Sequence, residues 1–361
     1  VRLPQQDDNH FGLFRLAFAI SVIFSHAFSA MSLKDPLQNL FHTVSIGEVA
    51  VDCFFILSGF LISMSWENSP SVPVFLSNRV LRIYPGFILA FVISVFVIGP
   101  IGALSLRAYF HGLNPVDLLR SVIILQSPIT PRTFPHSNDP MINKALWTIH
   151  LEFICYLLLM GLGIAKILQR KWLVVALFAG VWAGFLIFRH TSASAGNGGA
   201  IYGNMGISLL RFLPMFLAGA VMYKTQWHRI RPGWLVAGAA GALLLGLCNR
   251  FTAEPAIATA GAYLMMVAGT SGAAPNAVRQ MPDISYGIYL YGSLGLKLTG
   301  LIPAVIAPEE NFALALIFAM SMGLLSWYAV ERPALQLKKR FFFEKKKQKT
   351  FAQLDRAGFK A

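Results

Sequence analysis

Apolar residues along this chain arrive in blocks of about 20, the length needed to cross a hydrocarbon core of roughly 30 Å, and short polar segments separate them. Ten blocks stand out, at 13–31, 47–66, 83–104, 146–167, 172–188, 205–223, 233–249, 256–270, 284–302 and 311–330. The block at 256–270 is short and rich in Ala and Gly. A further apolar stretch at 117–127 is too short to span and is expected to lie at the interface or to re-enter. The pattern predicts an all-α integral membrane protein of about ten transmembrane helices around a central cavity. Residues 1–335 would form that domain, and 336–361 a basic tail. No small-residue cleavage site follows the first block, so it is expected to remain as a span.

Composition agrees with this pattern and excludes a soluble domain: 56% of residues are hydrophobic, 13% are charged, and the mean hydropathy is +0.60. The formal charge of +14 raises the question of nucleic acid. Half of it, however, lies in residues 331–361, where ten Lys and Arg face Glu331, Glu344 and Asp355. A basic tail directly after a span fits positive-inside topology and anionic lipid headgroups, and no motif for base recognition accompanies it. A cytoplasmic N-terminus places eleven other Lys and Arg inside together with the ten of the tail, against nine elsewhere. An even span count then puts both termini in the cytoplasm. The outer side would carry two long segments, 105–145 and the Gly/Ser-rich 192–206. The run Gly196-Asn-Gly-Gly199 lacks the strand that a dinucleotide fingerprint requires. Cys53, Cys155 and Cys248 have no metal-ligand spacing and read as packing residues, and no metal site is expected.

Within the first block, Arg15 and His26 are eleven residues apart, about 1100° of helical turn and so about 20° from alignment. They point the same way, roughly 16 Å apart along the axis. Ionisable groups at this depth cost several kcal/mol unless they face a protein interior or a watery cavity. His26 reads either as a satisfied structural residue or as a base. Arg79 and Arg82, one turn apart, read either as topology anchors or as phosphate ligands. Glu152 lies about 200° around a helix from His150, so the two cannot face one cavity. Glu152 shares a face with Tyr156, which favours Glu152 inward; His150 then reads either as an interfacial residue facing a loop or as a substrate contact. Arg211 would be a buried charge, with Asp52 or Glu152 as its partner. Ser58-Gly59 would permit close helix approach.

Several of these residues sit in patterns that together resemble the membrane acyltransferase-3 family. These are Arg15-x10-His26, Asp52-Cys-Phe-Phe-Ile-Leu-Ser-Gly-Phe-Leu61, Arg79-Val-Leu-Arg82-Ile-Tyr84-Pro85, and Trp147-Thr-Ile-His-Leu-Glu152-Phe-Ile-Cys-Tyr156. Ser285-Tyr-Gly-Ile-Tyr289-Leu and the closing Glu331-Arg-Pro333 also fit. The chain departs from the family at Gly292, where members often carry His, at Thr148 and His150 in place of serines, and at Phe153 in place of a second carboxylate. An esterase-like domain, present in many members, is not expected.

The resemblance implies transfer of an acetyl or other short acyl group from cytoplasmic acyl-coenzyme A to a hydroxyl of an extracytoplasmic or lipid-linked glycan. It further implies His26 as general base with Arg15 and Glu152 in the catalytic centre. Arg79, Arg82 and Tyr84 would bind the donor, and Asp52, Trp147, Tyr156 and Arg211 the acceptor. Acetyl-coenzyme A would be a co-substrate, with no bound cofactor. The location would be the inner membrane, with the bilayer and both substrates as partners. A transporter of a small anion or sugar is the alternative; a sensor or scaffold would leave the Arg15–His26 pair without a task.

Overall fold

The computed structural model describes residues 10–135, 137, 139–194, 205–272, 282–304 and 307–337. The tail beyond Leu337 and most of the Gly/Ser-rich segment lie outside the described residues. Every regular element among the described residues is helical. The principal helices are α1 (Phe11–Ala30), α2 (Pro36–Phe41), α3 (Ile46–Asn68), α4 (Val72–Ile93), α5 (Leu106–His111), α6 (Pro115–Ile123), α7 (Trp147–Ile164), α8 (Lys171–Ser194), α9 (Met205–Thr225), α10 (Gly233–Leu247), α11 (Ala262–Gly269), α12 (Ser285–Thr299) and α13 (Pro308–Ser326). Two shorter helical pieces over 253–261 lead directly into α11.

Each of the ten expected spans coincides with a helix. Six helical runs among the described residues are long and apolar enough to cross a membrane: Phe11–Ala30, Ile46–Asn68, Val72–Ile101, Lys144–Ile164, Lys171–Thr191 and Pro308–Leu337. Six of the ten expected spans are therefore supported by length and composition, and the other four positions are helical but shorter or more polar. Helix α12 illustrates the physical reason. It has only 15 residues and includes Ser285, Tyr291, Lys297 and Thr299, yet all four are buried. A helix enclosed by other helices does not need a lipid-facing apolar surface. The stretch at 117–127 contains α6, nine residues long and too short to span.

One boundary needs correction. The third span was expected to begin at 83, with Arg79 and Arg82 ahead of it, but α4 begins at Val72 and carries both arginines inside it. Ser71 is extended, and Pro73 sits in the first turn, where its missing N–H costs nothing. Asn78, Arg79 and Arg82 interrupt the hydropathy without interrupting the helix.

Helices α3 and α9 run parallel and in register. Asp52 meets Arg211, Phe55 stacks on Phe212 with ring centroids 4.5 Å apart, and Glu67 meets Lys224. Glycine makes this approach possible. A Cβ on Gly59 would fall 1.8 Å from the Phe216 carbonyl oxygen, and one on Gly219 equally close to that of Ile56. The expectation for Gly59 is met. Backbone contact of this kind is how helices associate where no hydrophobic effect drives them together.

Helix α12 lies between α1 and α13. Gly292 touches Ile23 of α1, and a Cβ there would meet Ile23 Cγ1 at 2.4 Å. Gly292, the departure noted from the resembled pattern, is here given over to packing.

Candidate active site

A cavity of about 130 Å³ opens among α1, α3, α4, α7 and α12. Its charged lining comes from Arg15, Arg79, Arg82 and Glu152, and its hydroxyl lining from Ser58, Thr148, Tyr156, Ser285, Tyr286 and Tyr289. Phe54, Phe55, Leu57, Leu61, Ile62 and Ile83 supply much of the apolar wall. Arginines from two separate sequence patterns thus converge on one space.

A residue that the sequence reading missed holds them there. Asp283 Oδ2 accepts from Arg82 Nη2 at 2.6 Å and from Arg15 Nη2 at 3.1 Å, while its Oδ1 accepts from Ser285 Oγ at 2.8 Å. Burial alone would raise the Asp283 carboxyl. The two guanidiniums and the Ser285 hydroxyl outweigh it and hold the group well below the usual carboxylate range. The available signal was slight, a lone Asp two residues ahead of the Ser285-Tyr286 pattern.

Arg79 is held differently. Its guanidinium carbon lies 5.9 Å from the ring centres of both Phe75 and Tyr156, an arrangement that favours a cation over an aromatic face. Arg79 Nε and Arg15 Nε are buried without an acceptor among the described residues. Buried donors are rarely left unmet, so these two N–H groups mark where an anion would be welcome.

Deeper in, Ser58 Oγ donates to Glu152 Oε1 at 2.6 Å, and the Tyr156 hydroxyl donates to the same oxygen. Glu152 faces the cavity as expected. His150 points elsewhere, its Nδ1 against the Ile124 carbonyl. The inner end is closed by aromatic rings. Phe18 meets Phe54 edge-on, Phe54 meets Tyr289 likewise, and the Tyr289 hydroxyl is 2.6 Å from Thr148 Oγ1.

His26 is not among the residues lining this cavity. It lies three turns beyond Arg15 on α1, past the aromatic closure, and is half-buried. No described residue hydrogen-bonds to its ring, so both nitrogens are available. The charged groups acting on it are Lys144 and Asp139.

The remaining expected site residues lie away from the cavity. Asp52 and Arg211 are 3.1 Å apart in a buried chain of charges, with Arg211 Nε also 2.9 Å from Glu254, and Glu254 in turn against Arg189. Of the two partners expected for Arg211, Asp52 is present and Glu152 is not. Asp52 and Arg211 are almost fully enclosed, at 0% and 2% exposure. Trp147 packs on Phe212. The Tyr84 hydroxyl donates to the Ile123 carbonyl at 2.6 Å, tying α4 to α6. Among the described residues no group of three His, Cys, Asp or Glu could hold a metal ion.

A family model described as an acyltransferase domain matches residues 10–332, nearly the whole chain. The chain belongs to the acyltransferase-3 family. Similar proteins include nodulation protein 10 of Rhizobium leguminosarum bv. viciae, 28% identical, with 91% of this chain and 94% of that protein covered. The O-acetyl transferase of Shigella phage Sf6 is 26% identical, covering 90% and 95% respectively. The exopolysaccharide production protein ExoZ of Rhizobium meliloti is 26% identical, covering 82% and 92%. No solved structure matches the chain significantly. Membership indicates an enzyme, in contrast to the transporter alternative. Within this acyltransferase, Arg15, Arg79, Arg82, Glu152 and Tyr156 of the family patterns line the cavity, His26 lies further along α1, and Asp52 belongs to the charge chain between α3 and α9.

Proposed function

We propose that this acyltransferase moves an acetyl or other short acyl group from acyl-coenzyme A to a hydroxyl of an extracytoplasmic or lipid-linked glycan, in a bacterial inner membrane. One observation carries the reading: Arg15, Arg79 and Arg82 meet at one cavity with two buried N–H groups unmet. The three guanidiniums have Asp283, Glu152 and, at Arg82, Glu331 as carboxylate neighbours, and the two unmet N–H groups leave the site receptive to phosphate. The names of two similar proteins, an O-acetyl transferase and an exopolysaccharide production protein, support the acyl group and the acceptor class.

On this reading the donor's phosphates engage the arginines at the cytoplasmic face. Its thioester arm passes the closure at Phe54, Thr148 and Tyr289 to reach His26. An imidazole nitrogen of His26 removes the proton from the acceptor hydroxyl, whose oxygen attacks the thioester carbonyl. The carbon–sulfur bond breaks, and the leaving thiolate recovers the proton from the imidazolium. Glu152, Ser58 and Tyr156 orient the path between.

The test uses purified protein in sealed vesicles, with acetyl-coenzyme A on the Arg15 side and polysaccharide on the other. Labelled ester on the polysaccharide and free thiol on the donor side are expected. Accumulation of unmodified solute with no thioester consumed would refute the reading.

A further inference from the structure

The segment ahead of α7 is pinned to α12, which packs on α1. Asn143 Nδ2 donates to the Leu290 carbonyl at 3.0 Å, and the Lys144 N–H donates to Ser293 Oγ at 3.1 Å. Between those two anchors on α12 lies Gly292, in contact with Ile23, three residues before His26. Lys144 is thereby delivered to the level of His26, in agreement with its charge acting on that ring.

Upstream, Lys297 clamps the same segment. Its Nζ donates to Ser137 Oγ at 2.7 Å and to the Asp139 carbonyl. Asp139 Oδ1 accepts the Met141 N–H at 2.9 Å, which fixes the carboxylate. Its Oδ2 stands 3.6 Å from Lys144 Nζ, a loose pairing, and both side chains remain partly open, at 26% and 38% exposure. A held carboxylate and an ammonium thus stand side by side, on the segment that α12 brings towards the His26 end of α1, and no described residue hydrogen-bonds to the His26 ring. None of the expected acceptor residues is at this end with them in the open: Asp52 and Arg211 are consumed by their own charge network.

We propose that Asp139 and Lys144 form the acceptor subsite of the His26 centre and take a sugar ring through neighbouring hydroxyls. The proposal rests on the reading of His26 as the base. A sugar hydroxyl donates one hydrogen bond and accepts others. Asp139 accepts from one hydroxyl, Lys144 donates to the next, and the pair orients the ring so that the reacting hydroxyl faces His26. At 3.6 Å the two charged atoms stand at a spacing that neighbouring hydroxyls bridge side by side, and only a loose pairing is loosened further. Lys297, already satisfied, holds the segment in place and does not touch the sugar.

Asp139→Asn and Lys144→Gln test this with full-length protein in vesicles from its own host strain deleted for the gene. Radiolabelled acetyl-coenzyme A is the donor, and envelope polysaccharide from the deletion strain is the acceptor. Protein amount and dispersity are checked by size-exclusion chromatography. Each variant is expected to raise KM for the polysaccharide by about tenfold, the loss of roughly one charge-assisted hydrogen bond, with KM for acetyl-coenzyme A unchanged. Lys144→Arg, which keeps the charge, is expected to restore most of the acceptor affinity. If Asp139→Asn fails to accumulate, Lys144→Gln and its Arg counterpart carry the test alone. An unchanged polysaccharide KM, or an equal rise for the donor, overturns the subsite while leaving acyl transfer standing. Wild-type protein that consumes no acetyl-coenzyme A and labels no polysaccharide overturns the reading beneath it.

Discussion

Arg82 donates from Nη2 to Asp283 Oδ2 across 2.6 Å, joining residues 201 positions apart in the chain. The same oxygen receives Arg15 at 3.1 Å, so a single carboxylate sets the spacing of two cations at the cavity mouth. Asp283→Asn is expected to loosen both arginines and lower stability by about 1–3 kcal/mol, the range for losing charged hydrogen bonds. The sign with pH follows from the lowered carboxyl. A depressed group contributes stability above its unfolded value, about 4, and loses it as pH falls towards the folded value. The difference in thermal stability between wild type and variant should therefore be full at neutral pH and shrink below about pH 4. A difference constant down to strong acid would remove the carboxylate from this role.

His26→Ala is expected to reduce acyl transfer by about 10²–10⁴-fold, the usual worth of a general base. Donor affinity and elution from a sizing column should not change, because the ring makes no hydrogen bond with any described residue. Wild-type product levels would exclude His26 as the base.

Arg79→Ala and Arg82→Ala should each weaken coenzyme A binding. Phosphate contacts made by arginine are screened by salt. Wild-type affinity should therefore fall as ionic strength rises, and the variants should show a shallower dependence. Titration calorimetry at two salt concentrations checks both points, and equal slopes would return these arginines to anchoring topology.

Arg211→Ala separates packing from chemistry. It strands Asp52 in the interior and leaves Glu254 to Arg189 alone, at a cost of about 3–5 kcal/mol for a broken buried pair. A fall in melting temperature with KM for the donor unchanged in the folded fraction is expected. Gly219→Val should act similarly, since a Cβ there would lie 1.8 Å from the Ile56 carbonyl oxygen.

Much of this was legible in the sequence because a bilayer allows few exceptions. A charge inside an apolar run needs a reason to be there, which singled out Arg15, His26, Glu152 and Arg211. Glu152 and Tyr156 share a face by helical spacing alone, and they do share a hydrogen bond. Asp283 and Asp139 were not legible, because single carboxylates in connecting segments belong to no period. The arginine partners of Asp283 come from distant parts of the chain, 268 residues away for Arg15, and Asp139 shows its setting only once Lys297 clamps its segment. Asp52 carried a family pattern and an apolar setting, and neither feature distinguishes a side chain aimed at a substrate from one enclosed by Arg211 and the packing of α3 on α9.

The aromatic closure at Phe54 and Tyr289 has a consequence for the cell as an electrical device. A passage leading from one side of a membrane towards the other is also a route for protons, and every proton that slips through dissipates the gradient that drives ATP synthesis. Two rings packed edge to face, with Tyr289 latched to Thr148, form a septum between the arginine cavity and the His26 end of α1. The septum can part for a thioester arm that fills the gap as it enters, whereas an empty passage would leak. Tyr289→Ala in sealed vesicles under an imposed pH gradient should discharge that gradient faster than wild type, and should do so without any substrate present. The enzyme's insulation, on this view, is part of what its host requires of it, quite apart from the bond it makes.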